Sequence, residues 1–161
     1  MVRVGLISDT HGLLRPEAIG FLQGSDFIIH GGDIGHVGIL DELRALAPIT
    51  AVSGNNDKGA WAESLAETEV LQVDESFVYV LHDLAALDID PGAAGFRIVV
   101  SGHSHRPRIE EREGVLYVNP GSAGPRRFKL PVAAGKLIFA EGKISARIVD
   151  LIGQDVIQTS G

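Results

Sequence analysis

Short apolar runs alternate with polar turns along the chain, and the turns carry its acidic residues and histidines. Val2, Val4, Leu6 and Ile7 form a run suited to a central strand, which stops at Ser8 before Asp9-Thr10-His11-Gly12. Pro16-Glu17 reads as the first turn of a helix over about 16–23. A second strand over 26–30 delivers Gly31-Gly32-Asp33. A helix over about 37–46 then sets Ile39, Leu40, Leu43 and Leu46 on one face, and Pro48 ends it. A third strand over 49–53 delivers Gly54-Asn55-Asn56-Asp57. Three strand–helix steps that each end in a polar turn predict an α/β fold with a parallel sheet and crossover helices.

The pattern then changes. Runs over 69–73 and 77–81 flank Asp74-Glu75-Ser76 and predict a hairpin that ends at His82-Asp83. Residues 84–95 have no clear period, and Asp90-Pro91 can open a short helix ending at Gly95. A buried strand over 96–101 delivers Gly102-His103-Ser104-His105-Arg106-Pro107. Short strands follow over 108–111 and 115–118, then a rigid loop, Asn119-Pro120-Gly121-Ser122-Ala123-Gly124-Pro125. Two strands, over about 132–140 and 144–151, close the chain. With no internal repeat or linker, a single domain over 1–161 is expected.

Composition narrows the functions. The chain has 161 residues, 45% hydrophobic and 22% charged, as in a globular protein with a sizeable core. A net charge of −7 argues against a broad grip on nucleic acid but leaves a small phosphate ester open, because a bound metal inverts the local field. The absence of cysteine excludes disulfides, thiol nucleophiles and Cys-ligated zinc. No apolar stretch approaches the ~18–20 residues that span a bilayer, and the start of the chain lacks a signal-peptide pattern, so a cytoplasmic protein without membrane contact is expected. Exposed edge strands make a homodimer or higher homo-oligomer a natural assembly.

The candidate chemistry lies at the strand ends, where open α/β sheets collect ligands. Asp9 and His11, Asp33, Asn55, His82, His103 and His105 all fall there, and the six histidines lie at or near such ends, with His30 and His36 flanking Asp33. Oxygen and imidazole donors without thiolate suit a divalent ion. Seven ligands exceed one tetrahedral site and suit two ions that share a carboxylate.

At these residues the sequence resembles the calcineurin-like metallophosphoesterases, in their small YfcE-type branch. The pattern D-x-H, G-D, G-N-x-D, a lone ligand His and G-H-x-H runs in order through Asp9/His11, Gly32-Asp33, Gly54-Asn55-Asn56-Asp57, His82 and Gly102-His103-Ser104-His105, and the Asn119-Pro120-Gly121-Ser122 loop fits as well. The resemblance implies an αββα sandwich of two stacked mixed sheets flanked by helices. It implies one ion on Asp9, His11, Asp33 and His105 and another on Asp33, Asn55, His82 and His103, with Asp33 bridging. Manganese is the first assignment; iron, nickel, zinc and magnesium also fit. The implied reaction is hydrolysis of a phosphodiester by a metal-bridging hydroxide, with Asp33, Asn55 and His82 catalytic and Asn55 and Arg106 contacting the small phosphate-ester substrate. The alternative within this fold is a scaffold like the retromer subunit, with little or no catalysis.

Two departures matter. Many relatives carry His after the ligand Asn, where it is thought to protonate the leaving group; here Asn56 stands there, and an amide is no general acid. Slower turnover and a preference for aryl esters are therefore expected, with Asp57 a substitute only if its pKa were raised. Asp83 replaces the glycine of the relatives' His-Gly-His. His30 reads either as a residue that orients a ligand or as a satisfied core histidine, His36 as a turn residue, Arg126 and Arg127 as candidate phosphate contacts, and Trp61 as either lining the cleft or packing beneath it.

Overall fold

A computed structural model describes residues 1–160 as strands in two stacked sheets, with helices on one outer face. The first sheet has the order β11-β10-β9-β1-β2-β3. Its strands are β1 (Val2–Ile7), β2 (Phe27–His30), β3 (Ile49–Ala51), β9 (Ala133–Ala140), β10 (Lys143–Asp150) and β11 (Val156–Ser160). The second has the order β4-β5-β6-β8-β7, with β4 (Thr68–Val73), β5 (Ser76–Leu81), β6 (Ile98–Val100), β7 (Arg108–Arg112) and β8 (Val115–Asn119). Helix α1 (Pro16–Leu22) joins β1 to β2, and α2 (Val37–Arg44) joins β2 to β3. The β1-β2-β3 steps are parallel as expected, and the hairpin β4-β5 is antiparallel. Both sheets are mixed, because β9, β10 and β11 run antiparallel on the first and β7 on the second.

Alternation along each strand divides the apolar residues among three layers. Between the sheets, Val4, Leu6, Ile29, Leu137 and Ile148 pack against Val78, Val80, Ile98, Val100 and Val118. Outside the first sheet, Ile7 and Ile28 meet Ala18 and Leu22 of α1 and Ile39, Leu40 and Leu43 of α2. Each such Leu, Ile or Val contributes about 1.5–3 kcal/mol when fully buried. Pro16 begins α1, its ring fixing φ where a free N–H is not needed.

The outer layer on the second sheet is thinner. Leu84, Leu87, Ile89 and Phe96 cover Tyr79, Leu81, Val99 and Val115 from a loop whose one regular piece is a 3₁₀ turn, Leu84–Ala86. Asp90-Pro91 opens a turn here, not a helix: Asp90 Oδ1 accepts from Ala93 N, Pro91 O accepts from Phe96 N, and the chain leaves at once through Gly95. The short helix α3 (Ala60–Glu63) and the strand β11 have no counterpart among the sequence expectations. A single turn is too short to show a period. β11 is an edge strand with no fully buried residue, so it lacks the buried face that marks a strand. Its Gln158 Oε1 accepts from Ile109 N of β7 at 2.6 Å and so links the two sheets.

Candidate metal centre

Backbone pairing continues past the strands and brings the ligand loops together. Beyond β1 and β2, Asp9 N donates to Gly32 O, His11 N to Asp33 O and Gly12 N to Ile34 O, at 2.8–2.9 Å. The Asp9–His11 turn therefore runs beside Gly32-Asp33. Gly102 N likewise donates to His82 O, holding the end of β5 beside the turn that carries His103 and His105. Two glycines allow this approach. A Cβ on Gly54 would overlap the backbone nitrogen and carboxylate of Asp33, and one on Gly102 would lie 2.6 Å from Asp9 Oδ2.

Asp9, His11, Asp33, His103 and His105 all have positive φ, between 46° and 70°. This left-handed region is uncommon for residues other than glycine, and such residues gather at functional sites.

Hydrogen bonds fix the side chains of Asp9, Asp33 and His82. Asp9 Oδ2 accepts from Ser8 Oγ at 2.6 Å and from His103 N at 3.1 Å. Its other oxygen, Oδ1, faces three imidazoles: His105 Nε2 at 3.4 Å, His11 Nε2 at 3.8 Å and His82 Nε2 at 4.0 Å. Asp33 Oδ2 lies between His82 Nε2 at 3.3 Å and His11 Nε2 at 3.6 Å. His82 Nδ1 donates to Gly31 O at 2.7 Å, which leaves Nε2 free to present its lone pair. Asp9 Oδ1, His11 Nε2 and His82 Nε2 are buried without a hydrogen-bond partner among the described residues. Buried polar atoms are normally satisfied, so three unsatisfied donor atoms aimed at one space fit a cation.

These atoms form two groups able to hold an ion, Asp9/His11/His105 and Asp9/Asp33/His82. The other predicted residues sit at the margin. His103 is 45% exposed, lies edge-on to the His82 ring at 5.2 Å, and turns Nε2 toward Asp83 Oδ2 at 3.8 Å. Asn55 is exposed and lines a cleft of about 380 Å³ with His82 and Asp83. Arg106, also exposed, lines a second cavity beside His103. Trp61 packs beneath, against the apolar layer under α2.

Charges within the site shift its titrations. Burial raises the Asp9 pKa more than the nearby Ser8 hydroxyl and imidazoles lower it. For Asp33 burial acts upward too, but His82 and the Asn56 N–H outweigh it and hold the carboxyl well below its ordinary value. Burial opposes charge on His82, yet Asp33, the Gly31 carbonyl and Asp9 raise its pKa overall. Burial lowers that of His105 more than the Asp9 carboxylate raises it, and the positive charge of Arg127 adds to the fall.

The hydrogen bonds by which Asn56, Asp57, Asn119 and Ser122 support the site lay outside the sequence expectations. Asn56 donates to both oxygens of Asp33, from N to Oδ1 at 2.9 Å and from Nδ2 to Oδ2 at 3.2 Å. Asp57 accepts from Ile34 N, Gly35 N and Gly54 N, tying two ligand loops together. Asn119 Nδ2 donates to Gly102 O and Ser104 Oγ, while Ser122 Oγ donates to Asp9 O. The one signal for these is a polar side chain in a glycine-rich turn. His30 is fully buried: Gly32 N donates to its Nδ1, and its Nε2 donates to Thr10 Oγ1, which in turn donates to Ile34 O.

Comparisons with known proteins show the family. The profile of the calcineurin-like phosphoesterase superfamily domain matches residues 2–139. The chain is 31% identical to a probable metallophosphoesterase of Methanocaldococcus jannaschii, over 92% of this chain and 81% of that protein. It is 32% identical to a probable metallophosphoesterase of Methanothermobacter thermautotrophicus, over 91% of each. Among solved structures, the phosphoesterase Yfce from E. coli superposes with a TM-score of 0.78 at 19% identity, over 99% of this chain and 98% of that one. Vps29 of Entamoeba histolytica, complexed with Zn²⁺, does so with 0.78 at 23% identity, over 99% of this chain and 97% of that one. At those identities the structures establish the fold alone. The profile match and the two archaeal relatives establish more: the chain belongs to the calcineurin-like phosphoesterase superfamily.

Proposed function

We propose that this phosphoesterase hydrolyses phosphodiesters at a two-ion centre built from Asp9, His11, Asp33, Asn55, His82, His103 and His105. The observation that carries the proposal is the convergence of Asp9 Oδ1, His11 Nε2 and His82 Nε2, all buried and all without a hydrogen-bond partner among the described residues. Divalent ions, manganese foremost, supply Lewis acidity and an activated water when bound.

The chain's own residues do the rest. Asp33, clamped by Asn56, presents Oδ2 between two imidazoles. Asn55 offers an amide oxygen as a neutral ligand and an NH₂ to a phosphate oxygen. Asn56 spends its Nδ2–H on Asp33 and holds no acidic proton, so leaving groups that depart as stable anions, such as aryl oxides, are preferred. The fit with a diester is supported by a relative of M. jannaschii named a phosphodiesterase, 27% identical over 74% of this chain.

The test uses metal-stripped protein, a chromogenic aryl phosphodiester and the corresponding monoester, with Mn²⁺, Ni²⁺, Zn²⁺ or Mg²⁺ restored singly. Cleavage of the diester should return with metal and fall by about 10³-fold in Asp33→Ala. Tight metal binding without cleavage of either ester would overturn the reading in favour of a protein-interaction scaffold.

A further inference from the structure

The thin outer layer on the second sheet stops short of β7. On that strand, alternation sends Ile109 toward the inter-sheet core and puts Arg108, Glu110 and Arg112 on the outer face. Register with β8 sets Asn119 opposite Arg108, Tyr117 opposite Glu110 and Val115 opposite Arg112. The uncovered strip is a cavity of about 260 Å³. One end lies at Asn119, which is bonded to the Gly102–Ser104 turn, so it opens beside His103 and Arg106. Arg112, stacked 4.4 Å over the Tyr117 ring, lines the opposite end.

The charge in this cavity runs against that of the molecule. Three guanidiniums, from Arg106, Arg108 and Arg112, line it with two carboxylates, Asp83 and Glu110, in a chain of net charge −7. Glu110 Oε2 receives two of them, Arg108 Nη2 at 2.8 Å and Arg112 Nε at 3.5 Å. Asp83 turns toward His103, and Arg106 has no ion pair among the described residues. One shared carboxylate therefore preorganises two forked cations and leaves guanidinium donors uncommitted. A phosphate, with its several acceptor oxygens, matches such donors better than a single carboxylate does.

We infer that this cavity is a subsite for a second phosphate on the substrate. The scissile phosphoryl group lies at the metal centre, and the alcohol esterified to it passes His103 and places its own phosphate among Arg106, Arg108 and Arg112. The substrate class is a phosphodiester that carries a further phosphomonoester, as in a nucleoside bisphosphate skeleton. This rests on the phosphodiesterase reading above.

The experiment pairs binding with turnover in Mn²⁺-loaded protein. Calorimetry compares thymidine 3′,5′-bisphosphate with thymidine 5′-phosphate at one free-ion concentration, and hydrolysis compares thymidine 5′-(4-nitrophenyl phosphate) with its 3′-phosphorylated form. The bisphosphate should bind about tenfold more tightly, and the 3′-phosphorylated ester should gain a similar factor in kcat/KM. Arg108→Gln and Arg112→Gln should each remove most of that preference, whereas Arg147→Gln, on β10, should leave it intact. Equal binding of the two nucleotides by the unaltered protein, with the plain ester still cleaved, would overturn the subsite and leave the phosphodiesterase reading standing. A preference abolished by Arg108→Gln, with neither ester cleaved, would keep the phosphate site and sink the phosphodiesterase reading.

Discussion

His30 should make the fold lose stability in mild acid, well above the range where carboxylates titrate. Its ring is fully buried and both nitrogens are committed, Nδ1 as acceptor from Gly32 N at 3.1 Å and Nε2 as donor to Thr10 at 3.0 Å. A second proton at Nδ1 would break the Gly32 bond and put a charge where no water reaches. Burial pushes its pKa down to about 3, with the nearby His82 adding to the effect and Asp33 opposing it. In the unfolded chain the imidazole returns to its ordinary value of 6.5. The unfolded state therefore takes up a proton that the native state refuses. The full contribution to stability is present above pH 6.5 and is lost progressively as pH falls toward 3. Between pH 7.5 and pH 5 the loss works out at about 2 kcal/mol, and it barely depends on the native pKa so long as that stays below about 4. The assay is urea unfolding at both pH values with a chelator present, on the unaltered protein and on His30→Asn. The asparagine keeps an acceptor for Gly32 N and cannot titrate. It should be less stable at pH 7.5 and should lose about 2 kcal/mol less on acidification, the other groups being common to both proteins. Equal losses in the two proteins would refute the reasoning, since His30 would then be accepting its proton in the folded state.

Two further substitutions probe how the loops are held. In Gly54→Ala the new methyl has to displace the backbone and carboxylate of Asp33, so stability should fall by about 2 kcal/mol or more and Mn²⁺ affinity by about tenfold, read by urea unfolding and calorimetry; an unchanged affinity would show that the loops can part freely. In Asp57→Asn one oxygen can still serve Ile34 N and Gly35 N, but the NH₂ then confronts Gly54 N, which approaches Oδ2 at 2.9 Å in the native protein. A loss of about 1–3 kcal/mol in urea unfolding is expected, and a loss under about 0.5 kcal/mol would mean that Gly54 N finds another acceptor.

Much of the framework was legible because burial leaves a pattern. The first three strands are apolar runs, Pro16 and Pro48 bound the helices between them, and the turns at Asp74, Glu113 and Glu141 separate the hairpin strands at the expected places. What stayed hidden lacks either a buried face or a local partner. β11 has no fully buried residue, and α3 is a single turn. Asp57, Ser122 and Asn119 act through partners 23, 113 and 17 positions away, and no periodicity reports such a bond. Asn56 shows the difference most clearly. Its residue type tells that an acid is missing, while only the geometry shows that it grips Asp33 at both oxygens. His103 adds a case of its own: its strand-end position groups it with the predicted ligands, and only the geometry shows its Nε2 3.8 Å from Asp83 Oδ2, an acidic residue that the sequence already set apart.

The left-handed backbone at Asp9, His11, Asp33, His103 and His105 bears on how such a centre can evolve. Outside glycine, the residues that tolerate this conformation best are Asn, Asp and His. These are also the short side chains that donate oxygen or nitrogen to hard and borderline ions. A mutation that exchanges one of them for another changes the charge and softness of the ligand set while leaving the loop's conformation almost unpenalised. Glutamate, chemically close to aspartate, carries no such backbone tolerance. The loops thus define a small alphabet within which the donor set can change by single steps, without refolding the turns.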